Sequence, residues 1–266
     1  MPEDLKAKKQ RLSDFFKGLD GVIIAFSGGV DSSLLAKVSH DTLGEKAIAV
    51  TLVSPTSDPS EVGSAGEIAG VIGINHILCP HNELASEGFK SNPEDRCYYC
   101  KHELALKMRK IAAEYGVKTI VEGTNASEIR GHRPGYMALR EMGILSPLAE
   151  LGFTKDDVRA LSESLRLPNH DKPSTACLAS RIPYGTEITG ELLSTVSDAE
   201  SVVRSLGVRQ VRVRCLGDVA VIEVDPGEFD KVYDNRDIIS DRLLGLGFNR
   251  VTMDLKGYRT GSMNYS

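Results

Sequence analysis

The sequence predicts an α/β protein, a parallel sheet covered by helices and followed by a small α+β domain. Three observations carry that prediction. Short apolar runs alternate with helical stretches through the first two thirds of the chain. One run, residues 21–26, ends in Ser27-Gly28-Gly29-Val30-Asp31-Ser32 and passes straight into a helical pattern. After Pro183-Tyr184-Gly185 the alternation gives way to a helix, two adjacent strands, then another helix and strand. The expected division is 1–188 for the large domain and 189–266 for the small one.

The opening MPEDLKAKKQRLSDFF reads as a charged amphipathic helix without the apolar core of a secretory signal. Strands are expected at 21–26, 46–53, 75–79 and 118–122, and helices at 32–43, 59–72, 98–115, 134–142 and 154–167. Such alternation argues for parallel strands with helices on both faces. Ligands of these sheets sit at the carboxyl ends of the strands, where residues 27–32 and Gly123-Thr124-Asn125 both fall. In the back part, a helix is expected at 189–206, strands at 209–215 and 218–224, a helix at 227–247 and a last strand at 250–255. Leu216-Gly217 joins the first two of those strands as a hairpin.

The chain has 266 residues, long enough for a full core, and its 41% hydrophobic and 26% charged content is that of an ordinary globular protein. No run approaches the roughly 18 apolar residues of a membrane span. A cytoplasmic location is expected, with thiols reduced, so the five cysteines read as ligands, nucleophiles or core residues. Residues 1–188 hold 22 basic and 25 acidic side chains, and the rest hold 10 and 12. Neither part has the basic excess of a nucleic-acid binder, so neither nucleic acid nor membrane is expected as a partner.

In the first loop, Gly28 and Gly29 let the backbone approach a ligand without a Cβ in the way. The N–H groups of the helix start favour a phosphate. Ser27 and Ser32 can donate hydroxyl hydrogen bonds, and Asp31 can orient the loop or hold Mg²⁺. The loop has no Lys, so it is not a Walker A sequence. SGGVDSS instead resembles the PP-loop of ATP pyrophosphatases, which split ATP into AMP and pyrophosphate.

Cys97-Tyr98-Tyr99-Cys100 opens a helix, and two thiolates three apart there can share one metal centre. Cys177, in KPSTACLASR, is a candidate third ligand. Three cysteines would hold a [4Fe–4S] cluster with one iron open. Zinc held by these cysteines with His102 or His170 is the alternative. Cys177 also reads as a nucleophile, its thiol pKa lowered by Lys172 and Arg181. Cys79 and Cys215 read as small buried hydrophobes. In Arg209-Gln210-Val211-Arg212-Val213-Arg214 the period of two puts Arg212 and Arg214 on one face, either as a phosphate clamp or as a solvated outer face.

Together SGGVDSS, NPEDRCYYC, EGTN, HRPGY, SPLAELGFTKDDVRAL, KPSTACLASRIPYGTEIT, RVR and GYRTGSMN resemble the LarE family. These are ATP-dependent sulfur-insertion enzymes of nickel-pincer nucleotide cofactor synthesis. The resemblance runs over almost the whole chain and implies a pyridinium mononucleotide substrate with ring carboxylates. One carboxylate would attack the α-phosphate of ATP, pyrophosphate would leave into residues 27–32, and sulfur would displace AMP to give a thiocarboxylate. Arg212 and Arg214 match the family's substrate-phosphate contacts, Arg181 lies beside the sulfur donor, and Glu200 and Glu223 are carried over as acidic positions. One branch of the family gives up the sulfur of the cysteine matching Cys177. Another uses sulfide on a [4Fe–4S] cluster, and Cys97, Cys100 and Cys177 together place this chain with the second. Ser127-Glu128 stands where the family pattern has two Asp residues. Homo-oligomers, trimer-based hexamers, are implied as well. The rival readings are a tRNA-thiolating enzyme, an amide-forming synthetase and a non-catalytic AMP-binding module.

Overall fold

The computed structural model describes residues 3–129, 133–173 and 176–259. In chain order the large unit contains α1 (Glu3–Lys17), β1 (Val22–Ala25), α2 (Val30–Leu43), β2 (Ala47–Val53), α3 (Pro59–Ile72) and β3 (Asn75–Pro80). A short α4 (Glu87–Lys90) precedes α5 (Arg96–Glu114), β4 (Thr119–Val121), α6 (Pro134–Glu141), α7 (Pro147–Glu150) and α8 (Lys155–Ser164). The four strands form one parallel sheet in the order β3-β2-β1-β4.

Both faces of that sheet are covered, and the strand period decides which side chain goes where. Val22, Ile24, Ala47 and Ala49 join a core with α1, α2, α3 and α8, whereas Ile23, Ile48 and Val50 join a second core with α5 and α6. On α1 the buried residues are Leu5, Leu12 and Phe16, one stripe of a helix whose other positions are mostly charged. The strand order reverses between β1 and β4. That reversal opens a crevice at the carboxyl edge, between the loop after β1 and the loop after β4.

The second unit holds α9 (Gly190–Ser205), β5 (Val211–Leu216), β6 (Val219–Val224), α10 (Phe229–Asp234), α11 (Arg236–Gly245) and β7 (Arg250–Met253). Its sheet runs β5-β6-β7, antiparallel across β5/β6 and parallel across β6/β7. The single helix expected at 227–247 is two helices. Asn235 separates them, and its Nδ2 donates to Lys231 O at 2.8 Å, the local competition that makes Asn a cap rather than an interior residue.

Compact packing divides the chain as Met1–Phe89 with Asp95–Thr175, and Lys90–Glu94 with Ala176–Ser266, whereas the sequence pattern puts the change at 188. The reason lies in 90–94. Asn92 Nδ2 donates to Pro183 O at 2.7 Å and to Thr186 O at 2.9 Å, and Ile188 N donates to Lys90 O at 2.9 Å. Residues 176–188 are thereby tied to a stretch that lies far upstream in the sequence.

Candidate functional site

The turn after β1 is held from several directions. Gly28 has φ +70°, and a Cβ there would stand 2.7 Å from Ala65 Cα on α3, so neither the conformation nor the space admits a side chain. Ser27 Oγ and Ser32 Oγ lie 3.2 Å apart, Ser27 N donates to Ser32 Oγ at 3.2 Å, and Gly29 N donates to Ser27 Oγ at 3.3 Å. The loop caps α2 through Gly29, with Asp31 in the helix's first turn.

Gly123 comes up against this turn from β4. A Cβ at Gly123 would sit 3.0 Å from Ser32 N and 3.2 Å from Asp31 Cβ, a close approach that fits glycine. Asn125, fully buried, donates from Nδ2 to Asp31 Oδ1 at 2.9 Å. Lys155, the first residue of α8, places Nζ on Asp31 Oδ2. Ser27, Gly28, Gly29, Asp31, Ser32, Gly123 and Asn125 therefore meet as the sequence predicts, with Lys155 added to them.

The SPLAELGFTK segment braces the same crevice. Ala149 N donates to Thr124 O at 3.1 Å, Ala126 N to Phe153 O at 2.7 Å, and Lys155 N to Ser127 Oγ at 3.1 Å. Glu122 accepts from Thr124 N at 3.0 Å and Thr124 Oγ1 at 2.8 Å, and also from Ser146 Oγ. Ser127 and Glu128 thus belong to the loop's own scaffold, Glu128 accepting from Asn125 N at 3.4 Å. Burial, and secondarily the charge of Asp31, push the Glu128 carboxyl above the usual glutamate range.

Cys97 and Cys100 occupy the first turns of α5, Cys97 exposed and Cys100 half-buried. The neighbouring Tyr98 donates to Glu141 Oε2 at 2.6 Å, and its ring stacks on His102 at 6.3 Å between centroids. Cys177 belongs to the second unit, exposed at the start of a short turn over Leu178–Arg181. Among the described residues no three His, Cys, Asp or Glu side chains form a metal-binding group. Lys172 lies in the first unit, with Nζ on Glu61 Oε2 at 2.7 Å. His170 Nδ1 lies 3.0 Å from Leu167 O. Cys215 is buried, its thiol pKa pushed up by burial, whereas Cys79 is only half-buried because β3 is an edge strand.

The second unit gathers the basic strand. Arg212 and Arg214 are each 6% exposed, so the solvated-face alternative falls. Arg214 donates to Glu223 Oε2 at 2.7 Å and to Ser180 O at 2.9 Å. The guanidinium of Arg212 lies 5.3 Å from the Tyr258 ring centre, a cation–π distance. Burial, then the charge of Arg181, draw the Arg212 pKa down. Arg181 grips Glu200 through Nε at 2.7 Å and Nη2 at 3.0 Å, both side chains almost wholly buried. Its Nη1 donates to Ala176 O at 2.7 Å and Cys177 O at 2.9 Å. Glu200 also accepts from Arg204 Nη2 at 2.8 Å and from Val213 N at 3.1 Å. Arg181, Arg204, Arg212 and Arg214 thus lie in the second unit with the carboxylates of Glu200 and Glu223.

No helix among the described residues is long and apolar enough to cross a membrane. Residues 9–187 match the NAD synthase family. An uncharacterized protein of Synechocystis sp. is 44% identical, with 98% of each chain covered. The pyridinium-3,5-bisthiocarboxylic acid mononucleotide synthase of Lactiplantibacillus plantarum is 36% identical over 98% of this chain and 95% of its own. A glutamine-hydrolyzing GMP synthase chain of Methanococcus maripaludis is 30% identical over 73% of this chain and 67% of its own. With the glycine turn, the Asp31 crevice and the basic strand in place, these likenesses make the chain a LarE-like sulfur-transferring enzyme of the PP-loop ATP pyrophosphatase family.

Proposed function

We propose that this protein activates a carboxylate of a pyridinium dicarboxylate mononucleotide with ATP and converts it to a thiocarboxylate. The observation that carries the reading is the crevice at Asp31, where Asn125 and Lys155 from two other segments meet the SGGVDSS turn. Likeness to the Lactiplantibacillus plantarum synthase over 98% of the chain supplies the substrate class.

A carboxylate is a poor electrophile because its oxygen leaves badly. One carboxylate oxygen therefore attacks the α-phosphorus of ATP, the bond to the bridging oxygen breaks, and pyrophosphate leaves. Ser27, Gly28, Gly29 and Ser32 receive that pyrophosphate with hydroxyl and backbone donors, and Lys155 adds a positive charge. Gly123, without a Cβ, lets the loop after β4 pack directly on Asp31 and Ser32. Asp31 accepts two hydrogen bonds and keeps further lone pairs for a hard cation, so it is the residue that would hold Mg²⁺, which would offset phosphate charge. A sulfur nucleophile then adds to the acyl carbon, AMP departs, and a thiocarboxylate remains.

Arg212 and Arg214 would bind the phosphate of the mononucleotide, with Glu223 fixing Arg214. Arg181 acts on the sulfur site through the backbone, since its Nη1 holds the carbonyls of Ala176 and Cys177 while Glu200 holds the rest of its guanidinium. The thiols of Cys97, Cys100 and Cys177 are the donor chemistry an iron–sulfur cluster takes, and they would hold a [4Fe–4S] cluster. When bound, the cluster supplies sulfide for transfer and spares the cysteines. The enzyme would work in the cytoplasm as a homo-oligomer, taking sulfide from a separate donor.

The test is anaerobic purification with iron and sulfide analysis, then mass spectrometry after turnover. Bound iron and an intact Cys177 are expected. Loss of one sulfur from Cys177 without iron would replace the cluster with Cys177 as the sacrificial donor. Absence of pyrophosphate release from ATP with the dicarboxylate mononucleotide would end the whole proposal.

A further inference from the structure

Asn169 belongs to none of the residues assigned above, yet its side chain reaches the glycine turn. It lies 141 residues from Gly28 in sequence and is 6% exposed. Its Nδ2 donates to Gly28 O at 2.9 Å and to Ser33 Oγ at 2.9 Å. A carbonyl oxygen only accepts, so the amide must face Gly28 with nitrogen. Both hydrogens of that nitrogen are then used. Asn169 Oδ1 is buried and no described donor reaches it, a cost that an apolar residue would not carry.

The Gly28–Gly29 peptide is planar and trans, so its C=O and N–H point in opposite directions. Holding the oxygen of Gly28 against Asn169 turns the N–H of Gly29 the other way, where its nitrogen makes a long 3.3 Å hydrogen bond to Ser27 Oγ. A flip of this peptide changes only ψ of Gly28 and φ of Gly29. Both are glycines, so sterics oppose the flip weakly. A flipped peptide would offer a carbonyl oxygen where a phosphate must bind.

We propose that Asn169 is a positioning residue that locks the Gly28–Gly29 peptide with its N–H toward the phosphate groups of ATP. This rests on the ATP reading above. The test uses the full chain, with inorganic pyrophosphate and adenosine as separate probes in equilibrium binding. Asn169→Asp keeps the shape but turns an acceptor toward Gly28 O, and Asn169→Ala removes the donor without adding charge. Both variants are expected to bind pyrophosphate about tenfold more weakly, the ratio of a 1.4 kcal/mol loss, with adenosine unchanged within about twofold. The KM for ATP should rise while the KM for the mononucleotide stays. Pyrophosphate binding equal to wild type in either folded variant, or equal loss of both probes, would overturn the proposal. Wild-type protein that does not bind pyrophosphate would instead overturn the ATP reading on which it stands.

Discussion

Lys155 lays its ammonium on Oδ2 of Asp31, 124 residues earlier in the chain, while Asn125 holds Oδ1. The acid of the glycine turn is thus shared by three segments, and its orientation depends on all of them. Lys155→Ala should lower pyrophosphate release from ATP by about a hundredfold, the scale of losing one charged donor at a transferring group. Asp31→Ala should abolish it. Pyrophosphate release assays read both variants, and a Lys155→Ala enzyme of normal rate would remove the lysine from the phosphate site.

Gly28→Ala meets two obstacles at once. Its φ of +70° strains any side chain, and the new methyl would press on Ala65 Cα at 2.7 Å. Together they should cost about 2–4 kcal/mol, read as a lower urea midpoint with an unchanged slope. ATP turnover should fall with it.

The steps of the reaction separate at the cysteines. Cys97→Ala should leave pyrophosphate release near the wild-type rate and stop thiocarboxylate formation, measured by mass spectrometry of the product. Equal loss of both steps would assign Cys97 to the scaffold of α5.

Asp157 closes a capping box with Thr154 at the start of α8 and accepts from Lys8 Nζ of α1 at 2.6 Å. Burial pushes its pKa up, but hydrogen bonds from Lys8 and Thr154 outweigh that and hold it below the ordinary 3.8. A depressed carboxyl stabilises the fold above its unfolded pKa, and the gain is lost as pH falls through the folded value. Asp157→Asn should therefore cost about 1 kcal/mol at neutral pH, and the gap to wild type should begin to narrow below about pH 4 and close as pH falls through the lowered folded value. Thermal melts across pH 3–7 measure it.

Glu200 receives both ends of the Arg181 guanidinium, Arg204 and a backbone N–H while fully buried. Glu200→Ala leaves Arg181 buried without its counter-charge and should cost about 3–5 kcal/mol. Limited proteolysis should then cut residues 176–266 first.

Much of this was legible in the residues. The alternation of apolar runs located every strand of the parallel sheet to within a residue or two, because side-chain period fixes which face each residue joins. SGGVDSS was readable as a strand feeding a helix through two glycines, and the structure has β1, that turn and α2 in this order. The contacts of Lys155 with Asp31 and of Asn169 with Gly28 were not legible, since nothing in local spacing reveals a partner more than a hundred residues away. Alternation put Arg212 and Arg214 on one face, but only packing shows that both faces of β5 are buried. Asn235 was readable in principle, as a cap residue inside an overlong helix of 21 positions, 227–247.

The hydrogen bonds of Asn92 to Pro183 and Thr186 make the smaller unit discontinuous. A gene fragment beginning at Ala176 would encode most of its residues yet omit Lys90–Glu94. Expressed alone, it would lack the upstream stretch that anchors its first loop. Ribosomal synthesis has the same order built in: those five residues emerge early and wait for partners made some ninety positions later.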